Sequence, residues 1–235
     1  MPFRRNAEVN LPETETAMTA PSVTETAITQ AYEDEYFDFS SLTERQIEIL
    51  EIARHIFAQG GYAEFTMRKI AAAANMHLKS IQYHFSTKQE LLRAMFSYVF
   101  FRYYIDGYDR VFAEKHLENP RERLVAAVDF LLRDIAINEF TAPYYFELYA
   151  LSMRDAEVEE LVNRMYHYYR GRFKDLILRM NPTLNPEVAA DRATIIASIT
   201  EGMCLFLSRG KSEHANADRV VNETVQRIVG LVLEP

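Results

Sequence analysis

The chain has 235 residues, 49% of them hydrophobic, enough to bury the core of one large domain or two modest ones. Seven glycines, eight prolines, no tryptophan and apolar residues recurring every three or four positions point to an all-α protein, with no alternating strand. A single cysteine, Cys204, excludes an intrachain disulfide, and the net charge of −8 argues against binding nucleic acid over the whole surface. No apolar run serves as a signal peptide or membrane span, so a cytoplasmic protein without membrane contact is expected.

Residues 1–40 read as a flexible acidic arm, since they are rich in Thr, Glu and Ala and follow neither a helical nor a strand period. It ends in Tyr32, Tyr36, Phe37 and Phe39, interleaved with Glu33, Asp34, Glu35 and Asp38. The favoured reading is an extension packed loosely on the domain; the sharper one is an arm that competes with DNA. Charge is unevenly spread. Residues 1–41 carry net −6, residues 42–93 net +2 and residues 94–235 net −4, so the one mildly basic stretch is internal.

That stretch has a clear start. Thr43 and Gln46 have capping-box spacing, Leu42 and Ile47 staple spacing, and Gly60-Gly61 should end the first helix. Thr66 is the expected N-cap of a short second helix through the alanines to about Asn75, a residue that tolerates the left-handed backbone of a sharp turn. Met76 should then fall into the core. A third helix over Leu78 to Phe85 turns Ile81 and Phe85 inward and exposes Lys79, Ser80, Gln82 and His84, polar groups suited to phosphates and base edges.

Thr87 and Glu90 have the spacing of a second capping box, launching a long helix from about Lys88 to His116. Asn119-Pro120, Pro143 and Asn185-Pro186 mark further starts, and breaks fall near Asp155, Asn181-Pro182 and Arg209-Gly210. The total is about nine helices, three in residues 41–92 and six in residues 93–235.

The ordered set Arg45-Gln46-Ile47, Ile49-Leu50, Phe57-Ala58, Gly60-Gly61-Tyr62, Thr66, Arg68, Ile70-Ala71, Tyr83-His84-Phe85, Lys88 and Leu91-Leu92 resembles the tetracycline-repressor-like (TetR) regulators over about fifty residues. Three positions depart from the family pattern. Asn75 replaces the usual glycine in the turn, Lys79 a small residue and Gln82 an aromatic, so an operator sequence cannot be borrowed from a relative. The resemblance implies a helix-turn-helix DNA-binding domain over residues 41–92. A helical effector-binding and dimerisation domain would follow over residues 93–235. It also implies that Lys88, Tyr83 and His84 meet phosphates, leaving Leu78, Lys79, Ser80 and Gln82 to face bases. Thr66 and Arg68 would hold the flanking strand, and His77 belongs to the same surface.

A recognition helix this short reads few base pairs, so a homodimer on a palindromic operator is expected. Ile195, Ile199, Met203 and Phe206 form one stripe beside the small residues Ala197, Ser198 and Gly202, and Val221, Val225, Ile228, Val229 and Val232 form a second. Periodicity does not separate protomer core from dimer seam; the resemblance implies that both helices pair with their mates, placing Ile195, Ile199, Gly202, Phe206, Val221, Val225 and Ile228 at the interface.

Residues 94–180 are dense in phenols, the make-up of an apolar cavity with a few polar tips. Phe101, Tyr104, Tyr108, Tyr145, Tyr149 and Met203 are the expected effector contacts. With few buried-looking charges, an apolar or aromatic effector is expected. By resemblance it releases the operator by shifting the helix after the reader, and repression is the default sign. No enzyme motif, cofactor site or metal spacing is present, and His167 reads as an ordinary helix-face histidine. The alternative function is a structural or protein-interaction module on the same fold that needs no ligand.

Overall fold

Capping side chains set where the helices begin. Thr43 Oγ1 accepts from Gln46 N at 3.2 Å while Gln46 Oε1 accepts from Thr43 N at 3.0 Å, closing both arms of the capping box. Asn119 Oδ1 accepts from Arg121 N (2.9 Å) and Asn185 Oδ1 from Glu187 N (2.8 Å), each just ahead of a proline. Asp155 Oδ1 receives both Glu157 N and Val158 N at 3.1 and 3.2 Å. Each such cap stabilises its helix by about 1 kcal/mol.

The computed structural model describes residues 42–105, 107, 119–136, 141–208, 210, 211 and 213–234. Among them are nine α-helices and no strand: α1 (Glu44–Glu64), α2 (Met67–Ala73), α3 (Leu78–His84), α4 (Lys88–Val99), α5 (Pro120–Phe130), α6 (Thr141–Ser152), α7 (Ala156–Met180), α8 (Pro186–Leu207) and α9 (Ala217–Leu233). The acidic arm expected over residues 1–40 lies outside the described residues, as does Tyr108. No described helix is long and apolar enough to cross a membrane.

The glycine pair breaks the first helix as expected: Gly61 leaves helical geometry (φ 66°, ψ −170°), and a separate short turn follows the kink to Glu64. Two local expectations are adjusted. The second capping box is only half formed, because Thr87 Oγ1 accepts from Glu90 N at 3.0 Å but the Glu90 carboxylate reaches past Thr87 to Ser86 N at 2.8 Å. The expected continuous helix from Lys88 changes type after Val99, where Phe100–Ile105 form a π-helical segment; a second one, Leu131–Ala136, follows α5. π-helical insertions accumulate at functional sites.

A continuous core joins the first three helices to the rest. Phe57 of α1 meets Phe65 edge-on at 6.0 Å, Phe96 of α4 at 5.2 Å and Tyr144 of α6 at 5.7 Å between ring centroids. All four side chains are buried. α7 and α8 pack along each other, and α9 packs on α5 and α8. Arg192 of α8 anchors the end of α9, donating from Nη1 to the carbonyls of Val232 (3.3 Å) and Glu234 (2.8 Å). A cation is well placed there, at the negative end of a helix dipole.

The last stripe read in the sequence is protomer core. Val221, Val225 and Ile228 are buried at 0, 5 and 1% exposure against the chain's own helices, so they are corrected from interface to core. The outward face of α9 is polar instead, with Arg219, Glu223, Gln226 and Arg227 exposed.

Candidate nucleic-acid interface and effector site

The turn between α2 and α3 is built on Asn75, the one non-glycine residue with positive φ (52°) among the described residues. Asn75 N donates to Ala72 O at 3.2 Å and Met76 N to Ala71 O at 2.8 Å, the paired bonds of a Schellman ending. Met76, half-buried against the core, supplies the apolar contact that accompanies it. Asparagine thus does here what glycine would do, at a small backbone cost. Ile81 and Phe85 anchor α3 from inside, both buried, and fix which side of the helix faces out.

That outer side carries the expected reading residues. His77, Lys79, Gln82 and Tyr83 are exposed, Tyr83 to 87%, while Leu78, Ser80 and His84 are half-buried. Tyr83 and His84 rings meet edge-on at 5.4 Å, which stiffens the end of the helix. On α2, Thr66 Oγ1 is engaged as the N-cap, accepting from Lys69 N at 3.2 Å, and Arg68 is exposed beside it. Lys69, exposed as well, pairs with Glu64.

Lys88 stands apart from this surface in its present contacts. Its ammonium lies 3.5 Å from the Tyr62 ring centroid and 3.4 Å from Tyr62 O, a cation–π and hydrogen-bond pair. The expectation that it meets phosphate therefore requires it to leave Tyr62.

Behind the reader, Glu51 of α1 gathers three donors. Its Oε1 accepts from Tyr98 Oη at 3.0 Å and Tyr103 Oη at 3.3 Å, and its Oε2 accepts from Arg54 Nε at 2.9 Å. Burial, and then the neighbouring Glu51 charge, push the Tyr98 phenol above its ordinary range. This cluster fastens α1 to α4 and its π segment, the elements that link reader and body. A cleft of about 510 Å³ between the end of α1 and α6 is lined by Gly61, Tyr62, Glu147, Leu151, Arg154 and Asp155.

The body contains the expected phenol cluster and one group that sequence reasoning missed. Tyr145 is buried, and Tyr149 and Met203 are half-buried; the side chains of Phe101 and Tyr104 lie outside the described residues. Glu201 of α8 is the addition. Tyr149 Oη donates to Glu201 Oε2 at 2.5 Å, Tyr166 also hydrogen-bonds the carboxylate, and the two phenol oxygens touch each other. Burial pushes Glu201 above the usual carboxylate range, and the two phenols pull it back. Tyr169 Oη pairs with Thr200 Oγ1 at 2.7 Å one step away. A turn-by-turn reading of α8 signals position 201 only by its charge.

Cys204 is buried, and burial with the Glu201 charge pushes its thiol up to about 11, so it stays protonated. His167 is exposed on α7, and no group of metal-binding side chains occurs among the described residues.

One face of α8 remains apolar and open. Val188, Ile195, Leu205 and Phe206 are exposed at 37, 45, 53 and 61%, with Ile199 and Gly202 half-buried between them. Leu205 and Val188 extend the stripe beyond the residues expected from periodicity.

Comparison with known proteins follows the same division. The family model for bacterial regulatory proteins of the tetR family matches residues 49–95, and that for the BetI-type transcriptional repressor C-terminal domain matches residues 120–230. No curated protein matches. Similar solved structures include a transcriptional regulator from Rhodococcus sp. Rha1 (18% identity, 81% of this chain and 96% of that one, TM-score 0.63). Another is a regulator from Saccharomonospora viridis in complex with choline (21% identity, 81% and 96% coverage, TM-score 0.62). A third, AibR, is in complex with isovaleryl coenzyme A and operator DNA (19% identity, 77% and 97% coverage, TM-score 0.59).

Proposed function

Because the chain belongs to the tetR family of bacterial regulatory proteins and is a DNA-binding transcriptional regulator, we propose that it acts as a cytoplasmic homodimeric repressor released from a palindromic operator by a small-molecule effector. The observation that carries this reading is the Asn75 turn, which presents Lys79, Gln82 and Tyr83 on the exposed side of α3. Lys79 and Gln82 are the base readers, and Arg68, Tyr83 and His84 hold phosphates. Thr66 braces the helix under Arg68, and Lys88 joins the phosphate contacts by exchanging Tyr62 for DNA.

The exposed stripe from Val188 to Phe206 supports the dimer, since an apolar helix face of this length is covered when it meets its two-fold mate. The seam is then α8 through Ile195, Ile199, Gly202 and Phe206, with Leu205 and Val188 at its ends. The effector enters the body near Tyr145, Tyr149 and Met203. Similarly folded regulators in complex with choline, and with isovaleryl coenzyme A and operator DNA, support a regulator that takes both a small molecule and DNA. Release requires only that the ligand favour the DNA-incompetent state by about 1 to 3 kcal/mol.

A second reading, an interaction module without a ligand, draws on the mutual bonding of Tyr149, Tyr166 and Glu201, which fills part of the body with the protein's own groups. Sedimentation of the protein alone and on duplex DNA tests the main reading: two protomers free and an even number per duplex are expected, and a monomer in both states overturns it.

A further inference from the structure

Every residue from Tyr32 to Phe39 is an acid or an aromatic: Glu33, Asp34, Glu35 and Asp38 stand among Tyr32, Tyr36, Phe37 and Phe39. Acidic segments that only solubilise a chain are poor in aromatic residues, and this one is half aromatic. A strip of anions interleaved with flat rings is also what a nucleic-acid strand offers, with its phosphates and bases. The reader carries a surface that fits such a strip. Its Arg45, Arg54, Lys69 and Arg93 each pair with a carboxylate, whereas the exposed Arg68 and Lys79 make no ion pair among the described residues. The Tyr83 ring stands 87% exposed on the same helix as Lys79. Carboxylates complement the two cations, and aromatic rings complement both the cations and Tyr83.

The connection between the two is short. Leu42 packs on the core directly before the α1 cap Thr43, so the chain enters the reader at a fixed point. The ten residues from Tyr32 to Leu42 reach up to about 35 Å, and α1 is about 31 Å long. α2 packs on α1 and α3 on α2, so every part of the reader lies within that reach. We propose that Tyr32 to Phe39 docks on the exposed side of α2 and α3, its carboxylates on Arg68 and Lys79 and a ring on Tyr83, and competes there with DNA. The inference rests on the reading surface proposed above, and charge and ring complementarity favour it over loose packing of the arm elsewhere on the domain. A tether this short holds the segment at an effective concentration of about 1 mM, so a contact with a dissociation constant of about 0.2 mM weakens DNA binding about fivefold. The same factor applies to every duplex. Tightly bound operators stay occupied while weak, non-specific sites are vacated.

Fluorescence anisotropy of a labelled duplex of arbitrary sequence, titrated with the full-length protein at low and high salt, tests this with two variants. In one the acids are neutralised: Glu33→Gln, Asp34→Asn, Glu35→Gln and Asp38→Asn. In the other the rings are removed and the charge is kept: Tyr32→Ala, Tyr36→Ala, Phe37→Ala and Phe39→Ala. At low salt the first should bind about fivefold tighter than the parent and the second roughly twofold tighter. Both gains should shrink toward none at high salt, where screening loosens the docked arm. A gain from neutralised acids alone assigns the effect to long-range repulsion, and a gain from removed rings alone leaves no ion pairing; either overturns the docking. Adding Arg68→Gln and Lys79→Gln places the contact. The gain from neutralised acids should then mostly vanish, and an undiminished gain overturns the site. Equal binding by parent and variants leaves the DNA-binding surface standing without the arm, whereas no binding by any of them fails both.

Discussion

The hydroxyl of Tyr98 sits 3.0 Å from Glu51 Oε1, joining the helix that leaves the reader to the first helix of the reader itself. Tyr103 Oη adds a second bond at 3.3 Å from the π segment, and Arg54 lies with its guanidinium 5.2 Å from the centre of the Tyr103 ring. The joint is polar and part-buried, so losing a donor leaves a charged acceptor underserved. Tyr98→Phe should lower unfolding free energy by about 1.5 kcal/mol, read by urea denaturation. No change would show that solvent replaces the phenol at no cost.

Gly61 holds φ at 66°, and a Cβ built there would lie 2.4 Å from Glu147 Oε2. Two separate penalties meet at this position. Gly61→Ala should cost about 1 to 2 kcal/mol from the left-handed backbone alone, plus the displacement of Glu147. Adding Glu147→Ala to it should recover the second part and leave the first. Full recovery in thermal melts of the double variant would assign the whole cost to the carboxylate.

Gln82 and Tyr83 are neighbours on α3, yet they should fail differently. Gln82→Ala should cost about 1 to 3 kcal/mol on operator and little on random DNA, as expected for a base reader. Tyr83→Phe should weaken both by similar factors, as expected for a phosphate contact. Fluorescence anisotropy on the two duplexes distinguishes them; equal losses on both for Gln82→Ala would move it to the backbone class.

Phe206 and Ile228, both expected at the interface from the family resemblance, are separated by burial, 61% against 1% exposed. Phe206→Glu should give a folded monomer by sedimentation velocity. Ile228→Ala should remain dimeric but lose about 2 to 5 kcal/mol of stability, the cost of truncating a packed core side chain. A dimeric Phe206→Glu would take α8 out of the seam.

The Glu201 carboxylate is raised by burial above its ordinary range, so stability depends on pH. The phenols of Tyr149, Tyr166 and Tyr169 and the Cys204 thiol titrate higher and leave this window alone. A raised folded-state pKa means that the protein loses stability as pH rises through it, so Glu201→Gln should melt higher than the parent at neutral pH and lose that advantage in acid. A parent that melts higher at neutral pH would show that the carboxylate is already neutralised within the protein.

Where structure depends on local chemistry, the sequence is a good guide. Thr43, Asn119, Asp155 and Asn185 cap helices because their side chains reach an amide two or three residues on, and Asn75 turns the chain because it tolerates positive φ. Long-range packing is not encoded so locally. Nothing in Phe100–Ile105 marks a change from α to π hydrogen bonding, since no glycine or proline falls there. Val221, Val225 and Ile228 have the same spacing whether they face their own protomer or a mate. Glu201 looks like a solvated charge until α6 and α7 bring Tyr149 and Tyr166 against it.

The central claim is sequence-specific reading by a two-fold dimer, and selection of duplex DNA from a random pool by the full-length protein, at two salt concentrations, tests it most directly. A palindrome should be enriched, with half-sites about 10 base pairs apart or a multiple of that and weaker retention at the higher salt. No enrichment at either salt by a folded protein, or enrichment of an asymmetric single site, would contradict it.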